Sequence, residues 1–226
     1  MYGEIHAPAL LSIGRKMYKS QRNYENAQRA IYAGTGEYRI PVIAPENYAG
    51  CEWIGFNYIN SEPDKEKKGI HFFLDDYQFI RLWTDPDKYM DKLRQFAYVM
   101  SPDFSMYTDF PKALQIYNHY RKHWLAAYWQ EHGIKVIPTI CWSGRESFGW
   151  CFDGEPMHST VAISSVGTQN STERKRKFLE GYEEMVRRLE PAQIIFYGRV
   201  PEECKGNIVR VKAFSEKWNE AEVAQW

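Results

Sequence analysis

The run Gly69-Ile70-His71-Phe72-Phe73-Leu74-Asp75-Asp76 decides the fold class of this chain: a short apolar stretch of strand length ends abruptly on two carboxylates. Five further runs of the same kind follow, Phe96 to Met100, Lys135 to Ile140, Thr160 to Ser164, Gln193 to Tyr197 and Asn207 to Val211. Segments of helical period separate them. Pro86 to Arg94 follows Asp85 with Pro at a favourable first-turn position. Pro111 to His132 is expected to be capped by Asp109 and stopped by Gly133. Ser171 to Leu189 has Asn170 and Glu173 at capping-box spacing and Pro191 beyond its end. Ala113, Tyr117, Tyr120, Trp124 and Tyr128 make the expected buried stripe of the long helix, and Phe178, Tyr182, Met185, Val186 and Leu189 that of the last. Strands alternating with covering helices imply parallel pairing. The chain is therefore read as α/β with a mostly parallel sheet, a small or incomplete (β/α) barrel.

Upstream of this pattern, residues 1–38 form a Tyr-rich extension with helical character around Tyr24 to Tyr32, closed by Gly34-Thr35-Gly36; residues 39–226 are taken as the α/β domain. Ile40 to Ile43 and Trp53 to Tyr58 are extended candidates, and Ser61 to Lys68 reads as a solvated charged loop. The 226 residues carry 29 Lys+Arg against 29 Asp+Glu, and this neutrality argues against a dedicated nucleic-acid binder, whose affinity needs a cationic excess. A composition of 44% hydrophobic and 26% charged residues is that of a globular chain and excludes a disordered one. No apolar run is long enough to span a membrane, and the N-terminus lacks the order of charge of a secretory signal. Four cysteines at irregular spacing are expected as free thiols in a cytoplasmic protein.

In a parallel sheet or barrel all strand C-termini open on one side, where such folds bind ligands. That side collects Asp75 and Asp76, then Ser101, Asp103, Ser105, Tyr107 and Asp109, then Cys141, Trp142, Ser143 and Arg145. Ser164, Ser165 and Gly167 follow the next run, Tyr197, Gly198 and Arg199 the one after, and Lys212 the last. Asp75, Asp76 and Asp103 are the candidate acid–base groups, and Asp76 with Asp103 the candidate ligands of Mg²⁺ or Mn²⁺. Ser105, Tyr107, Trp142, Arg145, Ser165, Tyr197, Arg199 and Lys212 are the candidate ligand-binding residues. No organic cofactor is indicated: Gly34-Thr35-Gly36 lacks the setting of a phosphate-binding loop.

Other constellations are weaker. His119 and His123 stand four apart, but His-Tyr-Arg-Lys-His lacks the internal Glu of a metalloprotease helix, and the face shared with Arg121 and Lys122 reads as solvated. Cys141, Cys151 and His158 have no ligand-pair spacing. Trp142 to Phe152, with Gly144 and Gly149, is either a mobile lid or a ring-rich loop that packs. Arg174 to Lys177 opposes the helix dipole at the start of the last helix and reads as a solvated face or a phosphate contact.

The runs Phe72-Phe73-Leu74-Asp75-Asp76-Tyr77-Gln78-Phe79, Ser101-Pro102-Asp103-Phe104-Ser105-Met106-Tyr107 and Phe152-Asp153-Gly154 resemble those of a family of bacteria, phages and mobile elements, domain of unknown function 4417. The resemblance spans Pro41 to Tyr197. It implies a phage or mobile-element accessory protein inside a bacterial host cell and brings no catalytic residues with it. Three readings stand: an enzyme acting on a nucleotide or nucleic-acid substituent at the acidic, aromatic strand-end mouth, a binder that sequesters a nucleotide-like ligand there, and an interaction module that inhibits a host protein.

Overall fold

β-Branched and aromatic residues crowd each apolar run, and these are the side chains that fit a pleated, buried strand. The computed structural model, which describes residues 25–216 and residue 218, forms seven strands from them. In chain order the elements are β1 (Glu52–Gly55), β2 (Lys68–His71), α1 (Arg81–Thr84), α2 (Met90–Leu93), β3 (Tyr98–Met100), α3 (Lys112–Glu131), β4 (Val136–Ile137), β5 (Thr160–Ser164), α4 (Thr172–Leu189), β6 (Gln193–Tyr197) and β7 (Ile208–Val211). Every ladder is parallel, and neighbours follow chain order: β1-β2-β3-β4 in one sheet, β5-β6-β7 in the other. A parallel bridge between Thr139, just past β4, and Ala162 of β5 stitches the two into one arc. Among the described residues no ladder returns from β7 to β1, so the arc is an incomplete barrel. Rings make contact across the arc: Tyr197 at the end of β6 stacks on Phe73, just past β2, centroids 4.9 Å apart, and lies 4.7 Å from His71 of β2.

Several elements differ from their sequence expectation, each for a local reason. The expected strand over Ile40 to Ile43 is a single antiparallel bridge, Thr35 to Ile40, because Pro41 has no N–H for a ladder. Trp53 to Tyr58 is extended only to Gly55 and then turns as a 3-10 segment. The charged loop after Ser61 ends sooner than expected, since Lys68 and Gly69 already belong to β2. Tyr24 and the residues before it lie outside the described residues, as does Trp226; the helical character expected to Tyr32 reduces to a turn over residues 25–29. Asp109 does not cap α3, whose N-cap is Pro111 with no side-chain bond. Ser171, not Asn170, caps α4, its hydroxyl accepting from the Arg174 N–H at 3.3 Å.

The largest departure is α3. Its expected outer face is buried: His119, Arg121, Lys122 and His123 are all enclosed, while Ala113 on the expected inner stripe is exposed. Over Arg121 to Trp129 the helix has no solvent side at all. It runs between the main core around Phe72, Val99, Trp124 and Trp129 and a second core of Trp150, Phe178, Tyr182 and Phe196. The Trp142–Phe152 loop packs rather than standing open: Ser147 Oγ donates to the Gly144 carbonyl at 2.7 Å, and Trp150, Cys151 and Phe152 are buried.

Candidate functional site

The strand ends and the start of α4 enclose an open cleft of about 980 Å³. Asp103, Met106 and Tyr107 from the segment after β3 line one wall, Ile140 to Ser143 the floor, and Ser164 with Val166 to Thr168 the approach to α4, from which Ser171, Arg174 and Lys177 face inward. Asp103 sits at this wall because Ser101 is locked in place: its N–H donates to the Ile137 carbonyl and its Oγ accepts from Thr139 N–H at 2.8 Å, which turns the chain outward at Pro102. Burial pushes the Asp103 carboxyl up to about 7, with the neighbouring Asp76 adding to the rise and Lys122 and a hydrogen bond from the Cys141 thiol opposing it. A carboxyl poised there exchanges its proton near neutral pH.

Across the cleft, α4 presents free N–H groups and the positive end of its dipole. Arg174 reinforces that end and makes no ion pair among the described residues, whereas Lys177 reaches Glu173 only at 3.6 Å. The Ser143 hydroxyl is buried in the floor with no protein partner. One wall thus carries a carboxyl shifted up toward neutral pH, and the other the start of α4 with Arg174, Lys177 and Glu173.

Of the candidate acid–base and ligand-binding residues, Asp103, Tyr107 and Trp142 line this cleft, together with Asp109, Cys141, Ser143, Ser164 and Gly167 from the same strand ends. Tyr107 is exposed and meets Phe110 edge-on at 5.1 Å. Trp142 lies against Phe178, and its indole crosses Gly181, where any Cβ would come within 2.1 Å of its nitrogen. Asp76 accepts from both the N–H and the hydroxyl of Ser105, the latter at 2.8 Å, so these two residues hold each other beside Asp103. Asp75 is exposed and Arg145 pairs with Glu180 at 2.9 Å, away from the cleft. Ser165 donates to the Arg199 carbonyl at 2.6 Å, and the exposed Arg199 guanidinium turns toward Glu216. Tyr197 and Lys212 line a second cleft of about 540 Å³ with Trp53, Phe73, Phe214 and Trp218. Of the predicted set, Asp103, Tyr107 and Trp142 line one opening and Tyr197 and Lys212 the other, while Asp75, Asp76, Ser105, Arg145, Ser165 and Arg199 line neither.

Beneath the larger cleft lies a buried polar cluster that the sequence reading placed in solvent. Lys122 Nζ donates to Glu155 Oε1 at 2.6 Å and to the Thr139 carbonyl at 2.8 Å. His123 approaches the same carboxylate oxygen at 2.9 Å through Nε2, and its Nδ1 donates to the Pro41 carbonyl at 2.8 Å. Burial disfavours charge on Glu155, but Lys122 and His123 outweigh it and hold the carboxylate below its ordinary range. Burial likewise works against the Lys122 ammonium, which Glu155 keeps above its usual value. Burial drives both imidazoles down, His119 furthest, with Lys122 adding to the effect on each. Gly154 makes the cluster possible: it has φ of +77°, and a Cβ there would meet the Pro41 carbonyl at 2.4 Å and His123 Nδ1 at 2.8 Å.

The family described as domain of unknown function (DUF4417) matches residues 32–215, which include the larger cleft, the cluster and the lining of the second cleft apart from Trp218. This chain belongs to that family. The DUF4417 chain is similar to the Gene 1 protein of Mycobacterium phage L5, with 36% identity over 193 residues covering 84% of each chain. It is 34% identical over 193 residues to the Gene 1 protein of Mycobacterium phage D29, covering 84% of this chain and 72% of that one. No solved structure matches. The association with phages holds, and among the described residues no helix is long and apolar enough to cross a membrane.

Proposed function

We propose that this DUF4417 protein is an enzyme acting on a phosphorylated, ring-bearing small molecule of nucleotide type in the larger cleft. The observation that carries the reading is the opposition of Asp103, its carboxyl pushed up to about 7, to the N-terminus of α4 with Arg174 and Lys177. The helix end and the two cations bind the phosphate. Tyr107, Phe110 and Trp142 provide an apolar wall for the base, and the partnerless Ser143 hydroxyl bonds a polar substituent. Asp103 then gives or takes a proton at the group that reacts. With Asp76 committed to Ser105, the anion is met by α4 rather than through Mg²⁺ or Mn²⁺ bridged between Asp76 and Asp103.

A nucleotide panel screened by thermal shift, followed by product analysis, tests this. Asp103→Asn should cut turnover by about 100-fold or more with little change in ligand affinity, the loss expected for a general acid–base group. Arg174→Ala with Lys177→Ala should instead weaken binding. A ligand that binds the wild type and is recovered unchanged after denaturation would favour the sequestering reading, which uses the same phosphate contacts without proton transfer.

A further inference from the structure

His119, His123 and Glu155 each present a ligand atom within 4.8 Å of the other two, all three side chains enclosed in the interior beneath the cleft. The tautomers follow from their partners. A carbonyl oxygen only accepts, so His119 Nε2, 3.1 Å from the Asp153 carbonyl, and His123 Nδ1, 2.8 Å from the Pro41 carbonyl, both carry protons. The rings lie 4.3 Å apart. A ring that carries its proton on that nitrogen alone keeps a lone pair on the other, Nδ1 of His119 and Nε2 of His123.

Two of the three residues offer an atom with no partner. His119 Nδ1 and Glu155 Oε2 are buried with no hydrogen-bond partner, and His123 Nε2 faces the acceptor Glu155 Oε1 at 2.9 Å. Bases that converge so closely call for a cation among them. The backbone carbonyls that fix both rings are the outer support usual for metal-bound histidines, setting tautomer and ring orientation. Two imidazole nitrogens and one carboxylate suit a first-row transition ion rather than Mg²⁺ or Ca²⁺, which prefer all-oxygen sites.

We infer that His119, His123 and Glu155 bind one divalent transition-metal ion of the zinc and iron class. Lys122 holds Glu155 Oε1, leaving Oε2 for the ion. The site draws its ligands from α3 and from the loop ahead of β5, so the ion ties that loop to the helix. It is distinct from the cleft residues and stands whether or not the cleft is catalytic.

The test uses the full-length chain freed of metal with a chelator, then titrated with Co²⁺ and Zn²⁺. The expected result is one equivalent of Co²⁺ per chain with a visible absorption band from nitrogen and oxygen ligation, displaced by Zn²⁺, and a melting temperature raised by either ion. His119→Gln removes one ligand without touching the Lys122–Glu155 pair. It should retain the wild-type circular dichroism and lose at least about 10-fold in affinity, the least expected from damage to a metal site. His158→Gln, at an exposed histidine, should bind as the wild type does. The inference is overturned if the wild type takes up no stoichiometric Co²⁺ or Zn²⁺, or if the folded His119→Gln protein binds them as tightly as the wild type.

Discussion

At the scale of single residues, Asp103 and Lys122 give opposite lessons about buried charge. In an unfolded chain the Asp103 carboxyl loses its proton near about pH 4, whereas in the folded chain it keeps it up to about 7. Between those values the native state holds a proton that the unfolded state has released, so this group subtracts stability as pH rises and its cost is complete above the folded value. Asp103→Asn should remove that slope. Melting curves across the window should show the variant gaining on the wild type as pH rises. Lys122 is the reverse, a charge whose loss would strand another. Lys122→Met leaves Glu155 buried beside two imidazoles and is expected to cost about 3–5 kcal/mol, seen as a lower urea midpoint at unchanged slope. Asp103 was legible in the sequence because a carboxylate after a strand stands out. Lys122 was not: a lysine between Arg121 and His123 looks solvated until Glu155, 33 positions later, comes to meet it.

At the scale of elements, helices explain most of what sequence reading captured and what it missed. The α4 stripe of Phe178, Tyr182, Met185 and Leu189 is buried as its spacing implies, because one side of this helix meets protein and the other meets water. The α3 stripe misleads because the helix is enclosed on every side over Arg121 to Trp129, where no polar face announces its orientation; Gln115 and Asn118 donate to the carbonyls of Phe110 and Ser105, and each histidine is held through one ring nitrogen by a backbone carbonyl. Amide exchange along Asn118 to Trp129 should accordingly be the slowest in the molecule, approaching the global unfolding limit. The cap of α4 is a local matter with a local price: Ser171→Ala should destabilise the fold by about 1 kcal/mol, measured by chemical denaturation. The same change leaves the Arg174 N–H for a ligand to satisfy, so phosphate affinity should change far less than stability does.

At the scale of the whole molecule, the parallel arc was readable from the alternation of apolar runs, and β5 and β6 match their predicted spans residue for residue. The sequence left a small and an incomplete barrel both open, and the structure has the incomplete one; the ring contacts between Phe73 and Tyr197 were not readable, since they leave no periodic trace in either segment. The division of the strand-end residues between two openings has the same origin. Sequence order gives which strand end carries a residue, while the curvature of the arc decides which end faces which. Segment 40–43, outside the arc, is fastened to the loop before β5 by the Ile43 N–H donating to the Gly154 carbonyl at 2.9 Å, and to α3 by His123 donating to the Pro41 carbonyl. That fastening gives the residues ahead of β1 a part in shaping the buried cluster.

A closed barrel has its radius set by a whole number of hydrogen-bonded rungs, and a change in radius means breaking them. Here the contact across the arc is made by stacked rings at the ends of β2 and β6, and stacking has no register. The spacing of the two strand ends is therefore expected to depend on Tyr197. Tyr197→Ala should let the arc relax with its ladders intact, so far-ultraviolet dichroism would hold while tryptophan emission from Trp53 and ligand affinity at the distant cleft both shift; Tyr197→Phe, which keeps the ring, should restore them.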